Sequence, residues 1–155
     1  MRPDFANITK EAQDIAKQMV IIGQRYRNYY LYVEHALLAL IEKPDSQLKS
    51  LFNHLSVDTK KIETATEQYI RSLPPTSRVS IGRLAIHPSV KELLENSQLE
   101  ANRIGSRGIN CSHIFLSIIK NYEAHTDTKI GLLLKDMGIT YNKVKKAILY
   151  LETWG

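Results

Sequence analysis

Sliding the chain along itself constrains its fold more tightly than any single motif in it. A shift of 78 positions lays residues 8–41 on residues 86–119 without a gap; identities include Ile8/Ile86, Arg25/Arg103, His35/His113 and Leu38/Leu116. The apolar pattern agrees more widely, with Ile15/Leu93, Ile21/Leu99 and Leu31/Ile109 in step. The second copy then carries extra residues around 122–128, and the match resumes at an offset of 82, with 48–65 on 130–147. Two copies of about 65 residues account for the chain, repeat one over 5–72 and repeat two over 86–152, joined by a linker over 73–85.

Each copy reads as four helices. Ile8, Ala12, Ile15, Ala16, Met19 and Ile22 recur at helical spacing, with Asn7 or Thr9 as N-cap. Gly23 and the polar-aromatic run 24-QRYRNYY-30 are expected to end that helix. Residues 33–41 are apolar nearly all round, as in a short helix buried between others, and Pro44 closes the segment. Leu48, Leu51, Phe52 and Leu55 form one stripe, and Asp58 can cap a helix carrying Ile62, Ala65, Tyr69 and Ile70. Copy two repeats the scheme over 90–104, 113–119, 130–137 and 140–151. No period-2 strand stands out, although 78-RVSI-81 could be extended. The expected architecture is all-α: two pseudo-equivalent four-helix repeats, about eight helices, packed into one domain.

Composition narrows the classes of function. At 155 residues, 43% hydrophobic and 24% charged, the chain suits a helix-rich globule. It has no apolar run of the roughly 18 residues that span a bilayer, and 1-MRPDFANITKEAQ-13 lacks the apolar core of a signal peptide. Its one cysteine, Cys111, can form neither an internal disulfide nor a thiolate metal site. A cytoplasmic protein without membrane contact is the expectation. The formal charge of +5 contains no block of five like charges and reads first as solubility.

Catalytic signatures are missing. No glycine precedes a lysine, so there is no GxxxxGK[ST] phosphate loop and no nucleotide cofactor is implied. Glu34-His35 is not HExxH, and no two histidines stand four residues apart, so no metal is expected. Cys111 with His113 suggests a nucleophile and base, but residues two apart rarely meet, and a lone cysteine is usually a small buried group. The repeat separates the Glu-His pair: His recurs at 35 and 113, while Ser112 replaces Glu34. A histidine shared before a shared apolar helix predicts a structural task, such as bonding the preceding loop. Glu34 is left free to serve a partner.

The residues 31-LYVEHALLALI-41 and 101-ANRIGSRGINCSHIFLSII-119, with 48–62 and 132–144 after them, resemble the Clp N-terminal domain family over essentially the full length. Its pattern is A-x-x-x-G-x-x-x-I-G-T-E-H-L-L-L-G-L, twice. Such double four-helix domains stand ahead of the ATPase rings of Clp-type AAA+ unfoldases and disaggregases. The resemblance implies a non-catalytic docking module for adaptors or substrates, with the ring in cis if the chain is a fragment. A branch of the family receives sheath components for type VI secretion. Some members recognise phosphorylated arginine through a Thr opening the first helix and the Glu of Glu-His. Here those positions hold Thr9 with Glu34 in copy one, and His87 with Ser112 in copy two, a degenerate second site without a carboxylate. Where the family has Thr before Glu-His, this chain has Val33 and Cys111, which removes a hydroxyl expected to cap that helix.

Two further features carry readings from other classes. Residues 132–148 have the frame of a helix-turn-helix, with Lys143, Lys145 and Lys146 available to phosphates. Copy one repeats the frame with Asp58 and Glu63 in it, which weighs against nucleic acid and for solvated helix faces. Tyr29 and Tyr30, in 26-YRNYYLY-32, are expected near a partner surface and Leu31 in the core, because tyrosine rings bind at small entropic cost.

Overall fold

The computed structural model describes residues 8–75 and 85–154. They form eight helices: α1 (Lys10–Arg25), α2 (Val33–Glu42), α3 (Ser46–Leu55), α4 (Thr59–Ser72), α5 (Pro88–Ile104), α6 (Cys111–Glu123), α7 (Lys129–Asp136) and α8 (Tyr141–Trp154). The protein is all-α, as the periodicity predicts. Asn7, most of the expected linker and 78-RVSI-81 lie outside the described residues.

The caps explain where the helices begin. Thr9 Oγ1 accepts from the Ala12 N–H at 3.2 Å. Asp58 accepts from Lys61 N, and its counterpart Thr140 from Lys143 N, both at 3.3 Å. Two local expectations fail. Gly23 does not interrupt α1; it is buried inside a helix that runs on to Arg25. One poorly favoured residue costs a helix only about 1 kcal/mol, which packing on α2 readily offsets. Val33 and Cys111 are also not N-caps but first helical residues, the caps being Tyr32 and Asn110. The missing hydroxyl was therefore never in the capping position.

The halves interlock. Helices α2 and α6 touch at the centre, α3 packs on α8 and α6, and α7 packs on α4 and α6. Leu37, Leu38 and Leu40 of α2 and Phe115, Leu116, Ile118 and Ile119 of α6 are essentially sealed from solvent. Each such side chain contributes about 1.5–3 kcal/mol relative to exposure. Phe52 of α3 meets Phe115 edge-on at 5.2 Å, an aromatic contact between the two halves.

A small parallel pairing, which no residue pattern foretells, ties the halves together. A strand β1 (Tyr30–Leu31) pairs with β2 (Ala85–Ile86), Leu31 opposite Ile86. An isolated parallel bridge joins Ile8 to Ile109. These contacts are related by the repeat itself, since Ile8 corresponds to Ile86 and Leu31 to Ile109. The segment leading into each half's first helix thus lies against the segment leading into the other half's second helix. Two-residue strands leave no alternation to detect.

Candidate docking site

His35 and His113 open α2 and α6 in the same way. His35 Nδ1 accepts from the Tyr32 N–H at 2.9 Å, and His113 Nδ1 from the Asn110 N–H at 3.0 Å. Each histidine ties down the loop before its helix, as the repeat predicts. With Nδ1 accepting, Nε2 carries the proton. In half one Nε2 donates to Asn28 Oδ1 at 2.8 Å; in half two it faces Ser106 Oγ at 3.0 Å and Glu152 Oε1 at 3.2 Å. Asn28 and Ser106 are themselves equivalent under the 78-residue shift. Burial pushes His35 down to about 4 and lowers His113 against the opposing charge of Glu152.

Ser106, His113 and Glu152 have the residue types of a hydrolytic triad, but not its wiring. Serine and carboxylate share one ring nitrogen, which already bears its proton, and backbone occupies the other. The imidazole cannot accept the Ser106 proton in this arrangement. Cys111 is no nucleophile either: burial and the nearby Asp45 push its thiol far up. Among the described residues, no group of three or more His, Cys, Asp or Glu could hold a metal ion.

Sequence reasoning missed Asp45. Its Oδ1 caps α3 through the Leu48 N–H at 2.8 Å, while Oδ2 takes the Cys111 N–H at 3.0 Å. One buried carboxylate therefore serves helix N-termini from both halves. A Pro-Asp-Ser sequence signals the first bond; nothing local signals the second. Ser112, the residue replacing Glu34, is buried and donates its N–H to Asn110 Oδ1.

Glu34 turns inward. The Tyr122 hydroxyl, from the far end of α6, donates to Glu34 Oε2. Burial and the Glu34 charge raise that phenol, so it stays a donor. Together they line a cavity of about 400 Å³ walled by Tyr69 and Ala65 of α4 and Ile130 of α7, with Lys129 also on it. Among the described residues, no lysine, arginine or histidine forms an ion pair with Glu34.

The expected partnership of Thr9 with Glu34 is not formed. Thr9 N donates to Ile109 O at 3.0 Å, and Thr9 lines a different cavity with Gly105, Ser106 and Asn110. His87, the N-cap of α5, donates its N–H to Leu31 O at 3.0 Å and stands 4.9 Å, ring to ring, from Tyr32. Thr9 thus stands against the segment leading into α6, and His87 against the segment leading into α2, a crosswise arrangement. The crossing follows from the parallel pairings, and so was as invisible in the sequence as they were.

Around His87 lies an exposed aromatic surface. Tyr29 and Tyr30 keep 47% and 43% of their surface in solvent and Ile86 keeps 61%, while Leu31 is buried. Tyr30 packs edge-on against Tyr29 at 4.8 Å and against His87 at 6.3 Å. The rings are fixed by one another and by the β1–β2 pair rather than by the core.

Eight helices in two interlocked, pseudo-equivalent halves define a double-repeat helical domain. The family model described as the Clp repeat (R) N-terminal domain matches residues 7–129, and the chain belongs to that family. It is 24% identical over 148 residues to the chaperone protein ClpB of Oceanobacillus iheyensis, which covers 95% of this chain and 17% of that relative. The chain thus spans about one sixth of that protein's length. Its fold matches the N-domain of ClpV from Vibrio cholerae with a TM-score of 0.76, at 17% identity over 96% of this chain and 90% of that one. It also matches a ClpV N-domain solved in complex with a VipB peptide, with a TM-score of 0.67, 20% identity and 94% and 88% coverage.

Proposed function

We propose that this chain is a non-catalytic docking domain that receives adaptors or substrates for a Clp-family ATP-dependent unfoldase, as repeats 5–72 and 86–152 of a single unit. The observation that carries this reading is the exposed aromatic surface of Tyr29, Tyr30 and Ile86, held by the pairing between halves and set beside the opening of α2. Large, mutually braced rings bind partners at low entropic cost. The peptide seated on a ClpV N-domain supports a polypeptide as occupant, and a type VI sheath component is the narrower version of that reading. The expected setting is cytoplasmic with the ring in cis; no helix of the described residues is long and apolar enough to cross a membrane.

The helix-turn-helix alternative loses its basis in packing. Helices α7 and α8 both rest on α6, but α7 also packs on α4 and α8 on α3, and the two make little contact with each other, unlike the helices of a two-helix reading head. A phosphoarginine-bearing segment is the finer proposal for Glu34. Its guanidinium would pair with the carboxylate, and the N-terminus packed beside the start of α2 is that of α5 at His87, not that of α1 at Thr9. Binding should then be single-site and lost in Glu34→Ala; a titration with two equal sites would contradict it.

The broader reading is tested by affinity capture with Tyr29→Ala/Tyr30→Ala, checked for an unchanged melting temperature. Loss of captured partners is expected, and undiminished capture would overturn the assignment of this surface. The isolated chain should also hydrolyse no nucleotide; ATPase activity that persists through purification would defeat the docking reading itself.

A further inference from the structure

The two halves place one arginine identically and surround it differently. In half one, Arg25 bonds both oxygens of Glu42 at 2.7 and 3.2 Å, an ion pair closed on itself. In half two, the position of Glu42 is held by Lys120, that of Ile22 by Glu100, and that of Glu63 by Lys145. Arg103 now turns to Glu100 at 2.9 Å, within its own helix, and Lys120 approaches the same carboxylate at 3.5 Å. Tyr141 OH donates to Glu100 at 2.5 Å, and Lys120 and Lys145 each lie against the Tyr141 ring, at 5.7 and 5.8 Å.

Two lysines, from α6 and α8, therefore lie against one ring, and Arg103 from α5 shares the Glu100 carboxylate with the hydroxyl of that ring. Glu100 is only 1% exposed and already serves three donors, so its charge is spent inside. The other carboxylate at hand, Glu123, is held by the Tyr141 N–H at 2.6 Å. Arg103 and Lys120 keep about half of their side-chain surface in water. One turn before Arg103, on the same helix face, Leu99 is exposed.

We propose that Arg103, Lys120 and Lys145, grouped around Tyr141 with Leu99 at the edge, form a docking surface for an acidic polypeptide segment carrying an apolar residue. The inference rests on the reading of the chain as a docking domain. A nucleic acid fits less well, because the patch is short: Glu92 and Glu95 are exposed further back on α5, and a phosphate backbone requires an extended basic track. Electrostatic complementarity of this kind selects partners and speeds their encounter.

The probe is a fluorescein-labelled ten-residue peptide of glutamates spaced by serines around one leucine. Its controls are the same peptide with glutamine and a ten-nucleotide single-stranded DNA. The wild-type chain should bind the glutamate peptide, more weakly as salt rises. Lys145→Glu, which leaves the Lys120–Glu100 pair intact, should raise Kd several-fold at an unchanged melting temperature, and Lys120→Arg/Lys145→Arg should retain binding. No binding, equal binding of the glutamine peptide, indifference to charge reversal, or tighter binding of the DNA would each overturn the proposal. If the peptide fails while Tyr29/Tyr30-dependent capture persists, only this surface is lost; if capture fails too, the docking reading falls with it.

Discussion

Half one and half two solve the same backbone problem with different residues. The turn after the first helix needs a left-handed residue, which is Arg27 (φ 58°) in half one and Gly105 (φ 82°) in half two. After the third helix the need recurs, met by Ser56 (φ 52°) and then by Gly138 (φ 72°). In both places half two uses the residue without a Cβ, and half one holds an L-residue in a conformation that costs about 1 kcal/mol or more. Backbone roles are shared across the repeat, and the side chains filling them are not. Surface chemistry has separated further still. Half one presents tyrosines at 29 and 30 where half two has Arg107 and Gly108, and half two gathers cations where half one closes an ion pair.

The largest effect should come from what the halves share. Leu38→Asp or Leu116→Asp places an unpaired charge in the contact between α2 and α6, a cost of at least several kcal/mol. Either variant should lose its cooperative thermal transition by circular dichroism; a native-like melt would show that the two helices are not a common core.

Acid tests the shared histidines. His35 is lowered in the folded state from its ordinary 6.5 to about 4. The folded chain therefore binds fewer protons than the unfolded chain between those values. Its stability is full above about pH 6.5 and falls as pH drops toward 4, by a few kcal/mol at most. Denaturant titrations at a series of pH values should show the midpoint falling across that window, with a shallower slope in His35→Gln. A midpoint unmoved between pH 7 and 4.5 would contradict the buried neutral imidazole.

Much of this was legible in advance, for a physical reason. Helices announce themselves through periodicity and capping residues, so the eight elements, the Asp58 cap and the loop-binding histidines could all be read from residues near in sequence. Contacts between halves could not. The swapped parallel pairs, the double duty of Asp45 and the Tyr122 hydroxyl over Glu34 all join residues remote in the chain, and no local preference encodes them. The mismatch of Thr9 with Glu34 has the same origin, since similarity between repeats predicts equivalent positions but not which half a neighbour comes from.

Smaller perturbations sharpen the comparison. A Cβ on Gly131 would stand 2.5 Å from His125 O, because the loop enlarged by the extra residues folds back over α7. Gly131→Ala should cost about 1–3 kcal/mol, whereas Lys49→Ala, at the matching exposed position in α3, should stay within about 0.5 kcal/mol. Chemical denaturation of both would reveal whether that loop constrains half two alone. Smallest of all, Arg27→Gly and Ser56→Gly should each raise stability by up to about 1 kcal/mol, and Gly105→Ala and Gly138→Ala should lower it by a similar amount. Changes of the same sign in both halves would refute the account of unequal backbone strain.

The central claim is that two halves with one fold meet partners through different surfaces, the aromatic one built on the tyrosines of half one. It is tested most directly by placing a photoreactive amino acid at Tyr29 or at the equivalent Arg107, both exposed, and irradiating each variant in cells that express it. Partner adducts enriched at position 29 over position 107 are expected. Equal yields of the same adducts at both positions would contradict the account.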